Sequence, residues 1–153
     1  MFSKTTHVIH RETSGAILID SLGRFLFQRR DNIPEILYPG MIGLFGGHRE
    51  GNETFLECVV REIYEEISYF LPSERFAHLI RYTGAHPLGG AFHCEIYVAN
   101  NIPVDQLLIT EGSLLSVKLD DLATIDARFS PSARFAVNAF LNDQESMLSR
   151  LRP

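Results

Sequence analysis

The stretch Gly47-His-Arg-Glu-Gly-Asn-Glu53-Thr-Phe-Leu-Glu57-Cys-Val-Val-Arg61-Glu62-Ile-Tyr-Glu65-Glu66-Ile-Ser68-Tyr69 decides how the chain is read. It opens on a glycine-bearing loop and passes into the strongest helical pattern in the sequence, residues 54 to 70, with Pro72 as the stop. At ~100° per residue, with Glu57 as zero, Phe55, Leu56, Val59, Ile63, Ile67 and Phe70 spread from roughly 160° to 280°. That apolar side packs on a sheet. Glu65 falls near ~80°, Glu62 near ~140° and Glu66 near ~180°. Three carboxylates thus share an arc beside the apolar face.

Like charges at i,i+3 and i,i+4 repel by a few tenths of a kcal/mol per pair. No lysine sits among them to relieve it. One reading is a solvated acidic face with Arg61 as partial counter-charge. The other is a cation site, because carboxylate oxygens suit hard ions such as Mg2+ or Mn2+. The loop favours the second. Gly46 and Gly47 let a backbone carbonyl or N–H come close to a ligand. Arg61 is within i,i+4 reach of both Glu57 and Glu65.

Working outward, Ser14 to Asp20 predicts a buried strand, Ser21 to Gly23 a turn, and Arg24 to Gln28 a second strand with Arg29 and Arg30 at its end. Asp31 to Gly40 is a loop with two prolines, and Met41 to Phe45 a short apolar segment. Beyond the helix, Phe76 to Thr83 predicts a strand and Gly84 to Gly90 a loop with His86 and Pro87. Ala91 to Ala99 alternates, with Phe92, Cys94, Ile96 and Val98 on one side, which predicts a strand with unlike faces. Leu114 to Leu119 follows as a strand, and Asp120 to Leu122 as a turn or short helix. Ser130-Pro131 predicts an N-cap and first position of a terminal helix, with Phe135, Ala136, Ala139 and Phe140 apolar. The mixture predicts an α/β (α+β) sandwich with a mixed central sheet.

A chain of 153 residues fits one domain, 1–153. Hydrophobic residues at 45% and charged residues at 22% argue against disorder. Fourteen Lys and Arg against 19 Asp and Glu disfavour a protein that coats a nucleic-acid polymer. They do not exclude a nucleotide substrate, since a bound cation inverts local charge. Six acids and two bases fall between Gly47 and Tyr69, so this segment carries most of the net −5. Cys58 and Cys94 are too few for a disulfide framework and predict reduced thiols. No signal-peptide pattern and no apolar run near ~20 residues is present, so the expected location is cytoplasmic, away from membranes.

The opening stretch resembles the signature of the Nudix hydrolases, G-x5-E-x7-R-E-U-x-E-E-x-G-U, with U a bulky apolar residue. Gly47, Glu53, Arg61, Glu62, Glu65 and Glu66 match at the correct spacing. Ser68 stands where the family has glycine, and Tyr69 takes the last apolar position. The flanking strand order is also similar, so the likeness spans most of the chain. The resemblance implies a Nudix-type α/β/α sandwich that hydrolyses a nucleoside diphosphate linked to a moiety X with Mg2+ or Mn2+. It implies Glu62, Glu65 and Glu66 as metal ligands, with the Gly46 carbonyl beside them. Glu53 and Arg61 resemble the pair that orients loop and helix, and Ser68 bears on how the helix ends.

Glu111, in Thr110-Glu111-Gly112, resembles a Glu-Gly loop that supplies a metal ligand or the catalytic base in relatives. Its competitor is Glu95, which can equally face solvent in its strand. Glu66 or Glu111 would take the proton of the attacking water. Arg30 resembles an arginine that contacts substrate phosphate in the MutT-like branch; the alternative for Arg29 and Arg30 is a solvated strand end. His48 beside Gly47 lines the phosphate site or is a surface histidine. His86 and His93 are read as structural or exposed. Tyr38, Tyr82 and Phe92 either stack on a base or pack in the core.

Among substrates, nucleoside or deoxynucleoside triphosphates lead, because the loop from Leu37 to Gly46 resembles MutT-like members. Nucleotide sugars and ADP-ribose are the alternatives. The expected partner is a small-molecule nucleotide, and homodimers are common in the family. A non-catalytic nucleotide-binding module is the reading of a different class. Such relatives usually lose one or more of the motif glutamates, and this chain keeps them all. An isomerase of the same fold is a third and weaker reading.

Overall fold

Residues 10–151 are described by a computed structural model; residues 1–9 and 152–153, which the one-domain reading includes, lie outside it. The chain runs β1 (His10–Asp20), β2 (Phe25–Arg29), β3 (Ile42–Gly43), β4 (Phe45–His48), α1 (Phe55–Ile67), β5 (Ala77–Ala85), β6 (Ala91–Ile102), β7 (Ser113–Val117), α2 (Pro131–Asn142) and α3 (Gln144–Arg150). A 3-10 stretch, Leu119–Arg128, occupies the place of the expected turn at Asp120.

The backbone of the sheet is β3-β2-β1-β6-β5, with β4 on β1 and β7 on β2. β1 and β6 pair in parallel, while β1–β2, β1–β4, β2–β7 and β5–β6 are antiparallel. The sheet is therefore mixed, as expected. Side chains alternate across it. From β1, Ala16 and Leu18 join Val59, Ile63 and Ile67 of α1 in one core. Ile17 and Ile19 join Ala133, Ala136, Val137 and Phe140 of α2, and Met147 of α3, in the other. Helices thus cover both faces, giving the α/β/α sandwich.

Four expectations are corrected. The central helix stops at Ile67 rather than at residue 70, because Ser68 takes a left-handed conformation (φ 56°, ψ 32°) that turns the chain before Tyr69, Phe70 and Leu71 lead to Pro72. Strand β6 is buried on both faces, since Glu95, Tyr97 and Ala99 lie under cover as well as Cys94, Ile96 and Val98. Strand β5 continues through Gly84 and Ala85, so the turn is confined to the His86–Gly90 tip. On α2 the inward stripe is Ala133, Ala136, Val137 and Phe140; Phe135 is turned outward and rests on Tyr82 with ring centroids 5.1 Å apart. Ser130 and Pro131 do start α2, although the Ser130 hydroxyl makes no capping bond. Helix α3 was not foreseen; it is only seven residues long, and Met147 alone is its buried anchor.

Candidate active site

The site is assembled on α1 and the glycine loop that leads into it. Thr54 caps α1 through a reciprocal pair: its hydroxyl accepts the Glu57 N–H and the Glu57 carboxylate accepts the Thr54 N–H. Such a capping box satisfies two donors that would otherwise lack partners. It also corrects the expected Glu57–Arg61 pair, because Glu57 is engaged at the helix start. The Phe55 carbonyl accepts from the Ser14 hydroxyl at 2.7 Å, docking the first turn on β1.

Arg61 is the hub. Its Nη2 and Nε donate to the two Glu53 oxygens at 2.7 and 3.0 Å, and Nη2 also donates to the His48 carbonyl at 2.9 Å. Its Nη1 donates to Glu62 at 2.9 Å and to Glu65 at 3.2 Å. Bidentate, charge-assisted bonds of this kind are the strong ones. Arg61 holds the Glu53 carboxyl down at about 2. The pair joins loop to helix across a sequence gap that neither element spans alone. His48 takes part through its carbonyl, and its residue is exposed in β4.

Gly46 and Gly47 are fixed by what surrounds them. Gly46 has φ 149°, and a Cβ there would lie 2.1 Å from the Ser14 carbonyl oxygen. A Cβ on Gly47 would lie 2.4 Å from the Glu62 carboxyl. The Gly46 N–H donates to Glu66 at 3.2 Å. Burial pushes the Glu66 carboxyl up to about 8, against that bond, with the charges of Glu62 and Glu111 adding to the rise and Arg30 opposing it. Burial raises Glu62 as well.

The Glu111 loop is anchored to the same helix. The Thr110 N–H donates to the Glu66 carbonyl at 3.0 Å and its hydroxyl to the Glu65 carbonyl at 3.1 Å. Gln28 of β2 donates to the Glu111 carbonyl at 3.1 Å. Gly112 has φ 65°, and a Cβ there would sit 2.4 Å from the Arg29 carbonyl oxygen. Glu111, Arg30, Gln28 and Gly112 line one polar cavity. Thr110 and Gln28 are positioning residues that sequence reasoning missed; only the adjoining Glu111-Gly112 carried a signal. Arg30 faces this cavity, whereas Arg29 at the strand end is exposed.

Glu95 is corrected. It does not face solvent: it is 7% exposed and binds Arg81 Nε at 2.6 Å, His93 Nε2 at 2.9 Å and His78 Nε2 at 2.5 Å. Burial opposes its charge, yet the bonds to His93, Arg81 and His78 outweigh that and bring it down to about 2. Its oxygens are committed to this cluster, whereas the charge of Glu111, like that of Glu62, acts on Glu66. His93 is structural, lying 4.9 Å from the Phe55 ring. Tyr82 and Phe92 pack against the core from its edge, and with Tyr38 they also line a cleft beside His86, Pro87 and the α2 start.

Among the described residues no three His, Cys, Asp or Glu side chains converge tightly enough to hold a metal ion as they stand. Glu62 and Glu65 spend oxygens on Arg61, and Glu66 on the Gly46 N–H. The donor set nonetheless fits a hard divalent cation. It is all oxygen, and Glu66 is a buried carboxylate whose neighbours are acidic. No helix among the described residues is long and apolar enough to cross a membrane.

The site is thus an acidic helix locked to a glycine loop by Glu53 and Arg61. The family model of the NUDIX domain matches residues 9–127, and the chain belongs to that family. It is a pyrophosphohydrolase of nucleoside-diphosphate-linked substrates, and Nudix hydrolases use divalent metals. The chain is similar to a MutT NUDIX hydrolase from Burkholderia pseudomallei, at 25% identity over 86% of this chain and 98% of that one, with a TM-score of 0.70. The NUDIX domain of Shewanella oneidensis NrtR, solved with ADP ribose, shares the fold at 16% identity, 94% of both chains and a TM-score of 0.72. So does a bifunctional NMN adenylyltransferase/ADP ribose pyrophosphatase from Francisella tularensis, solved with AMP and a Mn ion, at 20% identity over 92% of this chain and 43% of that one, TM-score 0.66. A comparison with the curated proteins found no match.

Proposed function

We propose that the chain, as one Nudix domain over residues 1–153, hydrolyses nucleoside or deoxynucleoside triphosphates to the monophosphate and pyrophosphate in the cytoplasm. The observation that carries the reading is that Glu66, bonded to the Gly46 N–H, lies within electrostatic reach of Glu62, Glu111 and Arg30, and that Glu111 and Arg30 line one polar cavity. Glu62, Glu65, Glu66 and Glu111 with the Gly46 carbonyl would hold Mg2+, or Mn2+ in its place. When bound, the cation offsets phosphate charge and makes water more acidic.

The chain's own groups do the rest. Arg30 binds a phosphate oxygen, with Arg29, Gly47 and His48 around the entrance. Glu66 or Glu111 accepts the proton of the attacking water. Glu53 and Arg61 keep loop and helix in register, so that the carboxylates and the Gly46 carbonyl would hold the same cation. The shallow aromatic cleft of Tyr38, Tyr82 and Phe92 seats the base by stacking.

The second reading is a nucleotide-sugar or ADP-ribose pyrophosphatase, supported by the ADP ribose bound to the Shewanella domain. A screen of deoxynucleoside triphosphates, nucleotide sugars, ADP-ribose and dinucleoside polyphosphates, with Mg2+ and with Mn2+, tests the two. Pyrophosphate release from triphosphates with the highest kcat/KM supports the first. Preference for a nucleotide sugar or ADP-ribose overturns it.

A further inference from the structure

The loop between β2 and β3 is the wall between two cavities. Ile36 lines the polar cavity with Arg30, Asp31 and Glu111, while the next two residues, Leu37 and Tyr38, line the aromatic cleft. The loop is closed at its base, where Arg30 N–H donates to the Met41 carbonyl at 2.9 Å and Gly40 N–H to the Asp31 carbonyl at 3.1 Å. Where the chain returns to β3 the Met41 N–H donates to the Tyr38 carbonyl at 3.2 Å, and Tyr38 is held at φ 52°. A side chain in that conformation needs its surroundings to hold it there.

One bond holds the wall from inside. Arg30 Nε donates to the Leu37 carbonyl at 2.6 Å, seven residues on and adjacent to Tyr38. The same guanidinium lies within electrostatic reach of Glu66. Across the cleft Tyr82 and Phe92 pack edge to face at 6.3 Å, and His86 stacks on Phe92 at 6.0 Å. The other sides of the cleft are set by β5, β6, the turn between them and the start of α2, and this side by a loop that Arg30 braces.

We propose that Arg30 is a positioning residue for base selection: its bond to the Leu37 carbonyl fixes the wall that presents Tyr38 to the cleft. The inference rests on the proposed function, because it takes the cleft as the seat of a nucleobase. It adds that the arginine of the phosphate cavity also shapes the base seat, so the two halves of the substrate are recognised through one side chain.

The test uses free nucleosides, which carry no phosphate. Binding of adenosine, guanosine, cytidine and thymidine to the full chain is measured by ligand-observed NMR for wild type, Arg30→Ala, Tyr38→Ala and the double variant. Base–aromatic stacking is worth roughly fivefold or more in affinity. Tyr38→Ala is expected to lose at least that factor for the preferred nucleoside, and Arg30→Ala a comparable one. The double variant is expected to be no weaker than the worse single variant, as for residues that act as a unit. If Arg30→Ala melts below the assay temperature, Arg30→Lys replaces it; it keeps the charge and lacks the planar fork. An arginine that only contacts phosphate leaves nucleoside binding unchanged, and that result overturns the proposal. So does the absence of nucleoside binding to wild type. Triphosphate turnover, assayed alongside, reports on the proposed function separately: its loss with Arg30-dependent nucleoside binding intact counts against the reaction and not against the loop.

Discussion

The Gly46 N–H donates to the Glu66 carboxylate at 3.2 Å. Twenty residues separate the two in sequence, and the bond joins the glycine loop to the buried edge of α1. A carboxylate at that depth is costly to ionise. With the charges of Glu62 and Glu111 nearby, it is pushed from an ordinary 4.5 up to about 8.

That shift has a sign. The folded chain holds the Glu66 proton more tightly than the unfolded chain, so stability declines as pH rises from 4.5 towards about 8. Glu66→Gln removes this decline. In EDTA, the variant's Tm is expected to gain on wild type between pH 5 and pH 8. A constant Tm difference across that range would show that Glu66 is not buried as described.

On the acid side the sign is opposite. Glu95 and Glu53 both sit at about 2, well below the ordinary 4.5. Each contributes stability above 4.5 that is lost as pH falls towards 2. Glu95→Gln is expected to lower Tm at pH 7, with the gap to wild type narrowing as pH falls through this window. Thermal melts from pH 7 down to 2.5 measure it.

Ser68 ends α1 in a left-handed conformation that costs a side-chain-bearing residue about 1–2 kcal/mol. Glycine at this position is free of that cost. Ser68→Gly is therefore expected to stabilise the chain by about 1 kcal/mol and to raise Tm by roughly 2–4 °C. Calorimetry checks this, and a lower Tm for the variant would contradict it.

Gly47 and Gly46 separate chemistry from folding. A Cβ on Gly47 meets the Glu62 carboxyl, the movable end of a side chain, whereas one on Gly46 meets the backbone oxygen of Ser14. Gly47→Ala is expected to fold and to need roughly 10–100-fold more Mg2+ for half-maximal activity. Gly46→Ala is expected to lose the fold. Circular dichroism and a cation titration distinguish the two outcomes.

Much of this was legible in the sequence, for identifiable reasons. The strand at Ser14–Asp20 and the acidic helix announce themselves by apolar runs and by 3.6-residue spacing, which are local signals. Glu53 and Arg61 followed from the motif, and the structure brings them together. Other features depend on contacts far apart in the chain. Glu95 looks like a solvent-facing residue in an alternating strand, because the partners that bury it come from β5 and from His93. Phe70 looks like part of the helix because residue 68 carries no glycine to announce the turn. Thr110 and Gln28 have no motif at all; their roles exist only through bonds to α1 and to the Glu111 loop. Tyr38, Tyr82 and Phe92 form a cleft only because a loop, two strands and the start of α2 meet there.

The most direct test of the account is a Mg2+ titration of wild type and Glu66→Gln, with turnover measured on the best substrate of the screen. Wild-type activity is expected to rise from background and saturate with Mg2+. Glu66→Gln is expected to keep its fold by circular dichroism and to lose at least about 100-fold in kcat, the scale at which charge-stabilising groups act. Turnover that is independent of divalent cation, or a folded Glu66→Gln with near-native kcat, would contradict the assignment of this site.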